Sequence, residues 1–190
     1  MPTPAFYQNY IQVVAAIRLC IEKRLIAPAL ILLYATIDSY AWAVSDSSDL
    51  SVRSRFETFV RDWMLPNHPL PCTPTDLYAA RCAILHTLTA YSDLSNSKQA
   101  KPIGYAWGTA DTASLSTVLQ YAEVRDAACV HIEDLANALF DAMLAVSDKA
   151  TTDTRLDARL KEAAGRHYKD MEKGTVEEFL LRIGNRRSAV

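Results

Sequence analysis

Two side chains five positions apart, Arg81 and His86 in "TPTDLYAARCAILHTLT" (residues 73–89), carry the most suggestive chemistry of this 190-residue chain. Arginine is a planar, permanently charged fork suited to phosphate oxygens, and histidine gives and takes protons near neutral pH. The two suffice to cleave RNA without a metal. A ribose 2′-hydroxyl would attack, the imidazole would act as general base or acid, and the guanidinium would stabilise charge building on the phosphate.

Spacing alone does not single this pair out. With 13 arginines and four histidines, roughly 0.8 pairs with four to six intervening residues arise by chance. The chain holds three. Arg61 and His68 are separated by Pro66, and Arg125 and His131 fall in a long apolar-periodic stretch. A rival chemistry is structural zinc: His68, Cys72, Cys82 and His86 read H-x3-C-x9-C-x3-H, with Cys82 and His86 at a helical i, i+4 spacing usable for the metal. Cys82 beside His86 also reads as a reactive thiol or, more simply, as a small core residue. No phosphate-binding glycine loop of the GxGxxG or GxxxxGK type occurs.

The elements that must position these residues read as helices. Half of the chain is hydrophobic and only 5 residues are glycine, which favours an all-α fold. Residues 5–26 place Tyr10, Val13, Val14, Ile17, Ile21 and Leu25 on one stripe. From Pro28, "PALILLYATIDSYAWAV" is apolar nearly all round, as in a helix buried inside a bundle. Its 13-residue apolar run between Arg24 and Asp38 is shorter than the about 20 residues a bilayer span needs. "VRSRFETFVRDWML" is amphipathic through Val52, Phe56, Phe59, Val60 and Trp63 and stops at Pro66.

The stretch holding Arg81 and His86 has strong start signals: Thr73 as N-cap, Pro74 in the first turn, Asp76 completing a capping box. Its pattern holds to about Tyr91. A polar loop comes next, with Ile103, Tyr105 and Trp107 alternating as in a short strand. Residues 116–148 read as one long helix through Val118, Tyr121, Val124, Ala128, Ile132, Leu135, Leu139 and Ala142. The expectation is a helical bundle of four to five core helices over residues 1–148. A charged tail, residues 149–190, would add helices near 153–172 and 175–183, packed on or extending the same domain.

Helical geometry constrains the pair. At about 100° per residue, Arg81 falls on the stripe of Leu77, Ile84, Leu85 and Leu88, while His86 points about 140° away from it. A guanidinium there needs a partner, and Asp38, stranded in "YATIDSYAW", is the candidate. The two could equally form a structural salt bridge. Ala79, Cys82, Ala83 and Ala90 make a small-residue face on which a symmetric dimer would pack, bringing two copies of the pair into one cleft.

Charge excludes little. The net charge of −2 gives no general pull toward nucleic acid or membrane, but residues 1–148 carry −5 and residues 149–190 carry +3. The four cysteines form no CxxC pair and follow no secretory leader, the pattern of a reduced, cytoplasmic protein. Tyr105 and Trp107 are core aromatics or, beside the site, platforms for a base.

"LYAARCAILHTLT" resembles the signature helix of the HEPN superfamily (higher eukaryotes and prokaryotes nucleotide-binding), whose motif is an Arg and a His four to six residues apart. The helical order around it, and "IGYAWG" after it, are similar to that group over residues 5–148. The resemblance implies a homodimeric, metal-independent ribonuclease needing no cofactor, with Arg81 and His86 catalytic. It would act as a toxin or phage-defence effector held by an antitoxin or regulatory partner. Active members often carry a polar residue after the arginine, and some toxins a tyrosine two after the histidine; here Cys82 and Leu88 stand there. Inactive members serve as binding or assembly modules, so a non-catalytic module is one alternative, and the zinc spacing of His68, Cys72, Cys82 and His86 gives the other.

Overall fold

The computed structural model describes residues 4–45, 50–122, 124 and 126–166. Among these the chain is mostly helical, in the order α1 (Pro4–Glu22), α2 (Ile26–Val44), α3 (Val52–Phe59), α4 (Pro74–Thr87), α5 (Asp93–Asn96), α6 (Thr112–Tyr121), α7 (Ile132–Ala150) and α8 (Thr154–Arg166). A π-helical turn, Val60–Met64, continues α3, and two short strands, β1 (Ile103–Ala106) and β2 (Ala128–His131), complete the order. The expected tail helix at 175–183, His167 and the pair partner Arg125 lie outside the described residues.

Helix α2 is the hub. Leu30, Leu33, Tyr34, Ile37, Tyr40 and Ala41 are buried on it, because α1, α3, α4, α7 and α8 all pack around it. A helix enclosed on most sides gains from apolar residues all round, at about 1.5–3 kcal/mol for each large aliphatic or aromatic side chain removed from water. The helix is 19 residues long, longer than its apolar run suggests, and with mean hydropathy 1.3 it passes the length and composition test for a membrane span. Half of that window is nonetheless buried inside the fold, as in a core helix. The described part of the tail joins the same core: α8 buries Leu156, Leu160 and Ala163 against α1, α2 and α7.

Two expectations are overturned. The single helix expected over 116–148 is three elements. Helix α6 ends at Tyr121, which is exposed with Val118; residues 128–131 then form β2, and α7 starts only at Ile132. Strand β2 pairs in parallel with β1, Ile103 opposite Ala128 and Ala106 opposite His131, with α6 as the crossover a parallel pair requires. "ACVH" is buried on three of four residues, and such a short apolar run fits strand and helix patterns alike. His131, expected on a helix face, ends β2 and caps α7, its Nδ1 accepting from the Glu133 N–H at 3.3 Å.

The second correction concerns residues 52–65. The chain leaves the α period at Val60, where the Leu65 N–H reaches back five residues to the Val60 carbonyl at 3.0 Å. That wider turn holds one residue more than an α turn. Met64 is therefore fully buried and Trp63 only half-buried, while Val52, at the start of α3 and ahead of the turn, is exposed.

Candidate functional site

Helix α4 is fastened at both ends. At its start the Thr73 hydroxyl accepts from the Asp76 N–H at 3.1 Å and Asp76 Oδ2 accepts from the Thr73 N–H at 2.9 Å, the capping box read from the sequence. The other Asp76 oxygen accepts from the Lys101 N–H at 2.6 Å, tying the helix to the approach of β1. At its end Leu88 turns left-handed (φ 52°), and the Thr89 N–H bonds to the Ala83 carbonyl, so the helix stops at Thr87 rather than near Tyr91. His86 thus occupies the last turn, exposed.

The Arg81 guanidinium lies between two partners. Its Nε donates to Asp38 Oδ2 on α2 at 2.6 Å, and its Nη2 meets the same oxygen at 2.5 Å. The third nitrogen, Nη1, is 3.2 Å from His86 Nε2 and 4.0 Å from Cys82 Sγ. A guanidinium only donates, so Nε2 is the acceptor and the imidazole proton sits on Nδ1. Burial by itself would lower the Arg81 pKa, but the Asp38 carboxylate and Cys82 hold it above the ordinary arginine value. The arginine is a fixed cation.

This geometry corrects one expectation. Arg81 and His86 meet within a single chain, although their Cβ directions diverge by about 140°. The long arginine side chain lies over the helix surface, steered by Asp38, and its outer nitrogen reaches the last turn. The expected dimer face is corrected too. Ala79 and Ala83 are fully used inside the protomer, buried where α4 packs on α2, α3 and β1. Their small size brings these elements close within one chain, and Ala90 lies beyond the helix, exposed.

The remaining candidates divide. Tyr105 turns inward: its hydroxyl meets that of Tyr34 at 2.5 Å, and burial raises both phenols. Trp107 is 42% exposed, with the Arg24 guanidinium 5.9 Å from its ring. The zinc set does not converge. His68 Nδ1 pairs with Asp141 on α7 at 3.2 Å, and burial, reinforced by Asp76, pushes the Cys72 thiol up to about 12. Cys82 and His86 attend Arg81. Among the described residues no three His, Cys, Asp or Glu side chains are placed to hold a metal ion.

Sequence reasoning missed Tyr78. Its ring lies 5.9 Å from the Arg81 guanidinium carbon and the same distance from that of Arg53 on α3, with Phe56 edge-on at 5.5 Å. Burial and the Cys82 thiol raise its pKa against the opposing pull of Arg81. The signal was present: Tyr78 stands three residues before Arg81 and four before Cys82, the spacings that share a helix face.

Comparison of the chain with family models, with curated proteins and with solved structures found no match.

Proposed function

We propose that the protein is a metal-independent endoribonuclease of the HEPN type, acting on cytoplasmic RNA. The observation that supports it is the continuous chain Asp38–Arg81–His86, which orients a fixed cation against an exposed imidazole. A scissile phosphate arriving at Arg81 Nη1 would take over the hydrogen bond now made to His86 Nε2. The released lone pair then accepts the proton of the adjacent 2′-hydroxyl, whose oxygen attacks phosphorus. The P–O5′ bond breaks, the leaving oxygen is protonated by water or by a second subunit's imidazole, and a 2′,3′-cyclic phosphate remains. Guanidinium charge beside the phosphorane stabilises the transition state. A homodimer placing two such chains in one cleft, restrained by an antitoxin or regulatory partner in a toxin or defence system, belongs to this reading.

One observation favours a second reading, a non-catalytic HEPN-like binding module. Two of the three Arg81 nitrogens are committed to Asp38, as in a structural ion pair. One experiment separates the two. Purified protein is incubated with RNA in excess chelator, alongside His86→Ala. The nuclease reading expects cleavage to cyclic-phosphate ends by the wild type and its loss, about 100-fold or more, in the variant. It expects an unchanged melting temperature, because His86 is exposed. Wild-type protein that leaves RNA intact under these conditions refutes it.

A further inference from the structure

Two arginines from different helices converge on one aromatic ring. Arg53 on α3 and Arg81 on α4 each place their guanidinium carbon 5.9 Å from the Tyr78 ring centroid, so the two cations are no more than twice that distance apart. Phe56, fully buried, props the ring from below. Each arginine is oriented the same way, by its Nε on a carboxylate: Arg81 on Asp38 at 2.6 Å and Arg53 on Glu57 at 2.8 Å. Arg81 also gives Nη2 to Asp38 and keeps Nη1 beside His86, whereas Arg53 meets Glu57 through Nε; the Nη end is the part of the fork that grips phosphate. The Arg53 side chain is 39% exposed. Both cations are already paired with carboxylates, so what the pair offers a polyanion is the exposed Arg53 fork beside the Tyr78 ring. A single RNA strand is such a polyanion, with phosphates repeating along its length and bases that pack against aromatic and guanidinium faces.

We propose that Arg53 is a second phosphate-binding residue, spaced from Arg81 by the Tyr78 ring, so that α3 and α4 together form a track for the nucleotide flanking the scissile bond. The inference rests on the ribonuclease reading and deepens it, assigning single-stranded RNA as the substrate form. The track runs from the Arg81–His86 end of α4 toward α3.

Binding tests it independently of cleavage. The probe is a fluorescent, uncleavable 2′-O-methyl oligoribonucleotide, titrated by anisotropy over a range of salt concentrations. The variant is Arg53→Gln combined with Glu57→Gln, which leaves net charge unchanged. Loss of one phosphate contact lowers the slope of log affinity against log salt by about 0.7 on a single strand. In turnover the variant raises KM, with kcat within about twofold of wild type. An unchanged slope in a variant of unchanged melting temperature overturns the track. If that variant melts early, Arg53→Lys decides: keeping the charge but losing the fork weakens binding at least about threefold, and equal affinity overturns the proposal. Slope loss in a protein that does not cleave RNA supports the track and removes the ribonuclease reading. Cleavage without slope loss removes the track alone, and wild-type protein that does not bind the probe removes both.

Discussion

Replacing Asp38 by alanine tests how the site is held. The Asp38 and Arg81 side chains are 21% and 15% exposed, between the open-surface pairs that contribute about 0.2–1 kcal/mol and the buried pairs whose breakage costs about 3–5 kcal/mol. One Asp38 oxygen takes two guanidinium nitrogens, so the loss on Asp38→Ala is about 2 kcal/mol. For a chain of this size that lowers the melting temperature by about 4–8 °C. Part of the loss is the stranded Arg81 charge, so Asp38→Ala with Arg81→Ala is less destabilised than the two single effects added. The double-mutant cycle, read by urea denaturation, gives a coupling of roughly 1.5 kcal/mol. On the ribonuclease reading proposed above, Arg81 without its anchor leaves His86 and RNA cleavage falls at least about tenfold, the equivalent of about 1.4 kcal/mol. A coupling below about 0.5 kcal/mol, or an Asp38→Ala protein that cleaves RNA at the wild-type rate, refutes the reasoning.

Alkaline stability depends on the core near the start of α4. Burial lifts the Cys72 thiol from 9.0 to about 12 and raises Tyr34 and Tyr105. The folded state therefore keeps protons that the unfolded chain releases. Stability is full below about pH 9 and falls as pH rises toward 12, by at most about 1.4 kcal/mol per pH unit for each group. Urea midpoints across this range should fall less steeply in Cys72→Ala, and a pH-independent wild type counts against the assignment. The two aromatics beyond α5 should behave oppositely. Tyr105→Phe loses its bond to Tyr34 and about 1 kcal/mol of stability with no change in RNA affinity, whereas Trp107→Ala keeps its stability and loses about 1–3 kcal/mol of binding where a base stacks. Anisotropy and thermal melts on both variants decide this, and a reversed pattern refutes it.

How much the residues disclosed in advance depended on how local the cause was. Helix α4 was legible at its start because Thr73, Pro74 and Asp76 settle their own neighbourhood, while its end was hidden in a left-handed Leu88 that no residue type announces. The partnership of Asp38 with Arg81 was legible because each was a charge amid apolar neighbours, and burial leaves such residues few partners but one another. Their meeting with His86 was not, since Cβ directions describe where a side chain begins and a long arginine ends elsewhere. Strand β2 was hidden for a different reason. Its stabilising partner, β1, lies 25 positions earlier, and nothing within "ACVH" distinguishes a strand from the start of the helix after it.

The π turn at Val60–Met64 also bears on which length changes this chain can absorb. Such a turn is an α-helix carrying one surplus residue. Losing one codon between positions 60 and 63 would leave a longer and more regular helix, a change the backbone tolerates locally. The residues beyond would keep their phase, since the Leu65 N–H would still bond to the Val60 carbonyl, now four positions back as in an α turn. Met64 would stay turned inward and His68 beside Asp141 on α7. In this segment a one-residue deletion is milder than elsewhere in a helix, where every later position would turn by about 100° about the axis.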